Sequence, residues 1–357
     1  MPEQFPVPTP GMHVGARVAC HLRAAWYGRG ARAWALLRPL AWVYRLLLAL
    51  HRLPYVLGLR RVWRADVPVI VVGNVVAGGS GKTPLVLALV QHLRARGWQP
   101  GIVSRGHGRS TRNCRAVLPD SAPDAVGDEP LLLARASAAP VFVARRRVAA
   151  VQALRQQHPG VDIIVSDDGL QHLPLGRDVE LCVFNSDGVG NGWLLPAGPL
   201  REPWPRAATA VLHTGPAPAA GAAPAFVMQR RLAAQARNAQ GQCLELSVLG
   251  AQHPEGVEAV AATARPEEFF AMLAAHQVVL RHVQALPDHY NFRDFKRLGP
   301  ASSALLCTEK DAVKLWRTHP QAWAVPLQLH LPAAFWALLD ARLAALPRPH
   351  TQIVNRF

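Results

Sequence analysis

Residues 67–72 form an apolar run, VPVIVV, and within ten residues the chain turns through glycines into a lysine and a threonine, as GNVVAGGSGKTP. A buried strand that stops in a glycine-rich turn and then opens a helix has the mechanics of a phosphate-binding P-loop. In such a loop the backbone N–H groups of Gly78, Gly79, Ser80 and Gly81 wrap a phosphate, Lys82 reaches its outer oxygens, and the Thr83 hydroxyl is placed to bind Mg²⁺. The strict spacing G-x-x-x-x-G-K-[ST] is not met, because Val76 stands where the first glycine belongs.

The residues after the loop continue in the same vein. Apolar runs at 101–104, 140–143, 161–166 and 179–184 read as buried strands, and 84–96 and 145–157 have helical spacing. Such alternation predicts an α/β fold, a P-loop-type parallel sheet flanked by helices, with ligands at the carboxyl ends of the strands. The stretch 215–226, GPAPAAGAAPAF, has linker composition. Beyond it, strand-like runs at 256–262, 278–283, 304–308 and 327–331 and helical runs at 266–276 and 333–346 predict a second, smaller α/β domain. The expected division is 1–65, an N-terminal amphipathic membrane-associated segment; 66–214, the P-loop core; 215–226, a linker; and 227–357, the smaller domain.

The segment 38–61, RPLAWVYRLLLALHRLPYVLGLRR, is apolar but interrupted by Arg38, Arg45 and Arg52. A membrane span needs about 20 apolar residues without such breaks, so this segment should not cross a bilayer. Arginines seven residues apart drift by only about 20° per step on a helix, which predicts one cationic stripe beside Leu40, Val43, Tyr44, Leu47, Leu48 and Leu50. Pro39 suits the first turn and Pro54 a stop. Either an interfacial membrane helix or an ordinary amphipathic helix packed on the core fits this pattern, and Arg60, Arg61 and Arg64 favour the membrane.

Half of the residues are apolar and 17% are charged, which excludes a disordered chain, while a net charge of +16 implies an anionic partner. Nucleic acid, an acidic membrane surface and a phosphorylated substrate all satisfy that requirement. The five cysteines form no CxxC pair, so neither a zinc site nor a disulfide framework is expected. The N-terminus, MPEQFPVPTPG, has no secretory pattern, which predicts the cytosol or the cytosolic face of a membrane.

An acidic strand end is the second half of a nucleotide site, and VDIIVSDDG supplies Asp167 and Asp168, able to bind Mg²⁺ or its water shell. Guanine recognition would call for N/T-K-x-D; the nearest candidate, Thr308-Glu309-Lys310-Asp311, has Lys and Asp adjacent, so ATP is the expected nucleotide. TEKDAVKL either lies near the nucleotide or caps a helix, with Thr308 as N-cap and Asp311 in the first turn; the cap is preferred. A nucleic-acid-dependent ATPase and a nucleotide switch are rival readings. The absence of an aromatic-interleaved basic surface and of a guanine motif weighs against them.

Taken in order, VGNVVAGGSGKTP, SRGHGR, GDEP, SDDGLQH, GNGWLLPAGPLREP, ALPDHYNF and TEKDAVK resemble the tetraacyldisaccharide 4′-kinase family, from about Trp26 and Tyr27 onward over most of the chain. The resemblance implies transfer of the ATP γ-phosphate to the 4′-hydroxyl of tetraacyldisaccharide 1-phosphate, giving lipid IVA, at the cytoplasmic face of the inner membrane, with Mg²⁺ and without nucleic acid. It implies that Asp128 and His289 activate the acceptor hydroxyl together. It further implies that Arg105, Gln171, Arg201 and Glu202 bind or position substrate, and that His172 completes the acidic motif. One departure stands out: His107 occupies a position where the family usually has Tyr.

Overall fold

The computed structural model describes residues 26–28, 36–78, 81–219, 221, 223–300 and 302–346. Its larger sheet has eight strands in the spatial order β3 (Arg115–Val117), β4 (Val141–Val143), β2 (Pro100–Ser104), β5 (Ile163–Asp167), β1 (Val69–Gly73), β6 (Val179–Phe184), β7 (Ala210–His213) and β8 (Ala225–Val227). All neighbours pair in parallel except β3 and β4. The continuous apolar run has its reason here. Ile70 and Val72 face one core cluster and Val69 and Val71 the opposite one, so β1 is covered on both sides and needs no polar alternation.

Helix α1 (Arg38–Val56) lies on the face of Val69 and Val71, with Ala41 buried there. The opposite face is covered by α2 (Lys82–Ala95), through Leu85, Val86, Leu89 and Leu93. The chain also forms α3 (Pro123–Val126), α4 (Asp128–Ser137) and α5 (Arg147–Gln157), the last on the same face as α1. Because β1 lies between β5 and β6, the connections diverge at its carboxyl end, which is where a parallel sheet opens a crevice for ligands.

A two-stranded antiparallel sheet, β9 (Gln229–Leu232) with β16 (Leu327–His330), joins this unit to the next. The second sheet has six strands, in the order β11 (Cys243–Glu245), β10 (Gln235–Arg237), β15 (Trp323–Val325), β14 (Leu305–Thr308), β12 (Val257–Ala261) and β13 (Leu280–Ala285). With it go α6 (Leu246–Gln252), α7 (Pro266–Ala275) and α8 (Glu309–Leu315).

This topology differs from the expected division in two places. Residues 225–227, assigned to the linker and the start of the smaller domain, are the edge strand β8 of the first sheet. Helix α9 (Ala333–Ala344), assigned to the smaller domain, returns to the first core, where Phe335, Leu339 and Leu343 join Leu85 and Leu89. Its Asp340 accepts from His92 and pairs with Arg96, both near the end of α2. Composition marked the linker, whereas the crossing is made by the short β9–β16 ladder, whose polar residues carry no linker signature.

α1 also departs from expectation. Leu37, Ala41, Tyr44 and Leu48 pack inward, and the next turn on that face, Arg52, pairs with Glu202. Of the arginines of the cationic stripe, Arg52 points to the body and Arg38 lies over the Trp193 ring at 4.7 Å. The outer face carries Leu36, Leu40, Trp42, Val43, Leu46, Leu47, Leu50 and Leu53, all exposed. Pro54 sits inside the last turn rather than ending the helix. Among the described residues no helix is long and apolar enough to cross a membrane.

Phe335→Ala should lower stability by about 3–5 kcal/mol, because it empties a wholly buried site in the first core. Urea unfolding of the full chain checks this; a change below about 1 kcal/mol would mean that α9 is not a part of that core.

Candidate functional site

The site starts at Asn74, directly after β1 and fully buried. Its side-chain amide donates to the Gly78 carbonyl at 3.2 Å, and its carbonyl oxygen accepts from Lys82 Nζ at 3.3 Å and Arg201 Nη1 at 3.2 Å. One side chain thus braces the turn and holds both cations that flank it. Gly78 (φ +111°) and Gly81 (φ +79°) adopt backbone conformations that favour glycine. Gly79 and Ser80 lie outside the described residues.

Gly81 is the N-cap of α2 and no side chain caps this end, so the first N–H groups of the helix are open to an anion, reinforced by the helix dipole. Arg230, from β9, closes over the loop: a Cβ on Gly81 would meet its Nη2 at 2.7 Å. Thr83 is buried in the first turn of the helix.

Asp167 ends β5 and is almost fully buried. Its Oδ2 accepts from Ser104 Oγ at 3.2 Å, while Oδ1 is buried without a hydrogen-bond partner among the described residues. Burial pushes this carboxyl up, and the charges of Glu129 and Asp168 add to the effect. An unpartnered buried carboxylate oxygen facing a phosphate loop fits a divalent cation or its water shell, with the Thr83 hydroxyl as the second protein group. Among the described residues no three acidic, thiol or imidazole groups gather into a preformed metal cage, so a Mg²⁺ here would also rely on phosphate oxygens.

Asp168 adopts a left-handed conformation, φ +47°, that turns its carboxylate back over the loop. There it lies 3.5 Å from Lys82 Nζ and 3.3 Å from Arg201 Nη1, and its backbone carbonyl accepts from Arg147 at 2.6 Å. Burial would raise its pKa, but Lys82, Arg201 and Arg147 outweigh that and hold it below the ordinary value. Arg147 is itself lowered to about 10 by burial and so stays charged at neutral pH.

The second half of the site is shared between the two units. Asp128 begins α4, and His289 lies in the loop after β13; His289 Nδ1 donates to Asp128 Oδ2 at 3.1 Å. Lys314 Nζ contacts the same oxygen at 2.6 Å. Burial would raise Asp128, but the hydrogen bonds from His289 and Lys314 and the Lys314 charge overcome it and hold the carboxyl below its usual range. Lys310, one turn earlier on α8, bonds Asp288 at 2.8 Å and lies 3.5 Å from His289 Nε2. Thr308 does cap this helix, accepting from the Asp311 N–H, and the same helix delivers two lysines to the site.

The remaining residues expected at the site fall into two groups. Arg201 reaches it directly. Gln171 and Glu202 stand behind it: Gln171 donates to the Asn74 carbonyl at 2.9 Å and to Glu202 at 2.8 Å, and Glu202, wholly buried, also pairs with Arg52 and Arg206. His172 is buried enough to be pushed down to about 4, helped by Arg147, Arg177, Arg146 and Arg105, and its Nε2 has no partner. Arg105 is exposed at the rim, and the His107 ring lies 6.0 Å from that of His289. Asn74, Arg147, Arg230, Lys310 and Lys314 were not singled out by sequence. Only the two lysines carried a readable signal, an i, i+4 spacing in TEKDAVK.

A phosphate loop, an acidic pair and an Asp–His pair whose histidine comes from the second unit make up an arrangement that can be compared as a whole. A family model described as tetraacyldisaccharide-1-P 4′-kinase matches residues 33–344. The chain belongs to this family. It is 66% identical to the tetraacyldisaccharide 4′-kinase of Delftia acidovorans, over 94% of this chain and 98% of that one. It is 59% identical to that of Acidovorax sp. strain JS42, over 92% and 96%. A crystal structure of LpxK from Aquifex aeolicus in complex with ATP is similar with a TM-score of 0.76 at 25% identity, covering 87% of this chain and 99% of that one.

Gly81→Ala should weaken ATP binding at least tenfold, because the new methyl meets both a disfavoured φ and the Arg230 guanidinium. Calorimetric titration with ATP and Mg²⁺ measures the loss; unchanged affinity would remove this loop from the nucleotide site.

Proposed function

We propose that this chain is the ATP-dependent kinase that phosphorylates the 4′-hydroxyl of tetraacyldisaccharide 1-phosphate, forming lipid IVA in lipid A biosynthesis at the cytoplasmic face of the inner membrane. Family membership supports the reaction. The observation that carries the division of labour is the 3.1 Å bond between Asp128 and His289, residues from two different sheets that meet beside a phosphate loop.

In this reading the N–H groups at the start of α2 and the Lys82 ammonium hold the outer phosphates of ATP. Thr83, Asp167 and Asp168 would hold Mg²⁺ directly or through water, where it would neutralise phosphate charge. Asp128, ionised by its two donors, accepts the proton of the 4′-hydroxyl late in the transfer. As the new O–P bond forms, the bond from the γ-phosphorus to the bridging oxygen breaks and ADP departs. His289 keeps the Asp128 carboxylate in place through Nδ1–H. Phosphoryl transfer through a loose transition state depends more on this positioning than on strong base catalysis. Arg201 holds Asp168 and Asn74 in register, Gln171 and Glu202 brace the loop from behind, and Arg105 at the rim suits the acceptor's own phosphate.

The outer face of α1 supports attachment to a lipid surface. Large apolar side chains exposed together along one helix face form the kind of contiguous patch that marks an interaction surface. Arg38, Arg45 and Arg60, each over an aromatic ring at its edge, suit anionic head groups.

Transfer of label from [γ-³²P]ATP to the tetraacyl disaccharide 1-phosphate in mixed micelles tests the reaction. Lys82→Ala, Asp128→Ala and His289→Ala should each lower it by about a hundredfold or more; label on lipid that persists in Asp128→Ala would sink the proposed base. For the surface, Leu46→Gln with Leu50→Gln should weaken flotation with anionic vesicles more than tenfold, since two leucines would contribute about 3–4 kcal/mol when buried in the acyl boundary. Equal flotation would place the lipid contact elsewhere.

A further inference from the structure

Among the described residues, Lys314 is the one that touches both partners of the Asp128–His289 pair. Its ammonium has three N–H bonds and three oxygens around it: Asp128 Oδ2 at 2.6 Å, the His289 carbonyl at 3.0 Å and the Tyr290 carbonyl at 3.1 Å. Its side chain is only 13% exposed, so water contributes little to holding it there.

The loop that it holds needs a restraint. His289 and Phe292 have φ of +63° and +59°, left-handed conformations disfavoured for a residue with a Cβ. The helix that carries Lys314 is fixed in turn. Asp311 is buried and accepts from Ala262 N–H at 2.9 Å and from the Thr308 hydroxyl at 2.7 Å, which sets α8 against the end of β12.

Asp128 shows a matching asymmetry. Oδ2 takes both Lys314 and His289, whereas Oδ1 has no hydrogen bond among the described residues. One oxygen is anchored and the other is open.

We propose that Lys314 is a positioning residue for phosphoryl transfer, stapling the His289 loop to Asp128 across the two units so that Oδ1 is left facing the acceptor hydroxyl. It touches neither substrate. Removing its amine frees the loop, lets the carboxylate rotate and takes away a positive charge within 3 Å of the base. Besides Lys314, the groups that face Asp128 or its histidine are His289, Lys310, Asp288 and, on the His289 ring, His107. Of these, only His289 and Lys314 bond the carboxylate.

The proposal rests on Asp128 being the base, so the experiment includes Asp128→Asn. The full chain is assayed by lipid labelling from pH 4.5 to 9, with ATP–Mg²⁺ affinity measured in parallel. Lys314→Met should lower kcat at least tenfold, leave the KM for ATP within twofold, and move the acid limb of kcat/KM upward by about one pH unit, because a carboxylate that loses an adjacent cation is protonated more easily. Lys314→Arg keeps the charge at the interface, and with it the seating of the two units. It should leave the acid limb in place while losing several-fold in kcat, since a planar fork cannot meet three oxygens arranged around one nitrogen.

A loss in Lys314→Met that is uniform across pH, or activity within threefold of the native chain, would overturn the staple. So would an Arg variant whose acid limb moves, and this arm is decisive should the Met variant fail to fold. Activity retained in Asp128→Asn would instead overturn the base assignment itself.

Discussion

A wholly buried carboxylate, that of Glu202, ties together the parts of this protein that have least in common in sequence. A buried charge is tolerated only when paired and hydrogen-bonded, and removing one partner typically costs about 3–5 kcal/mol. Glu202 has three partners: Arg52 from the apolar helix α1, Arg206 four residues on, and Gln171 from the turn after the acidic pair. Gln171 also bonds the Asn74 carbonyl at the mouth of the phosphate loop. Next in the chain, Arg201 gives its carbonyl to the Tyr44 hydroxyl of α1 and its guanidinium to Asn74 and Asp168. The apolar helix, the loop and the acidic turn are therefore linked through one connected set of hydrogen bonds and ion pairs.

The first sheet was legible because its strands are buried on both faces. A parallel strand covered on both sides is largely apolar, and 67–72, 161–166 and 179–184 meet that condition apart from Asp162, Ser166 and Glu180. The strands β3, β7, β8, β9, β10, β11 and β15 were not recognised. All are only three or four residues long; β7 is buried but too short to stand out, and the others carry partly or wholly exposed positions, so their pairing comes from the neighbouring backbone and leaves no local pattern. The return of α9 to the first core was invisible for a related reason: an amphipathic helix announces that it has an apolar face but not which core receives it.

Within the site, legibility followed chemical type. Glycines, a Lys-Thr pair and paired acids at a strand end have few alternative explanations together, and their positions agree with one nucleotide crevice at β1. Asp128 and His289 were identified only through the resemblance, since GDEP and PDHY are ordinary turn sequences taken alone. Lys314 escaped because the segment around it already had a sufficient local explanation. Thr308 caps the helix and Asp311 sits in its first turn, as read from the sequence, and the helix then does a second task that the cap does not reveal. A local motif that is satisfied says nothing about the outward face of its element.

The two halves of the site obey different physical demands, which is why they sit on different sheets. Holding ATP requires a stiff, glycine-turned backbone at a helix end, and the Asn74–Gln171–Glu202 chain supplies that stiffness. Meeting an acceptor whose acyl chains remain in a bilayer requires instead that the base be assembled next to a hydroxyl whose position the membrane sets. On the proposed attachment, the outward apolar face of α1 would set the height of the phosphate loop relative to that surface, because the Arg52–Glu202 contact links the helix to the residues that brace the loop. The second unit carries His289 and Lys314, which meet Asp128 of the first. Catalytic geometry is completed where the two units meet, since the Asp128–His289 bond crosses between them, and a site closed in this way would disfavour transfer to water.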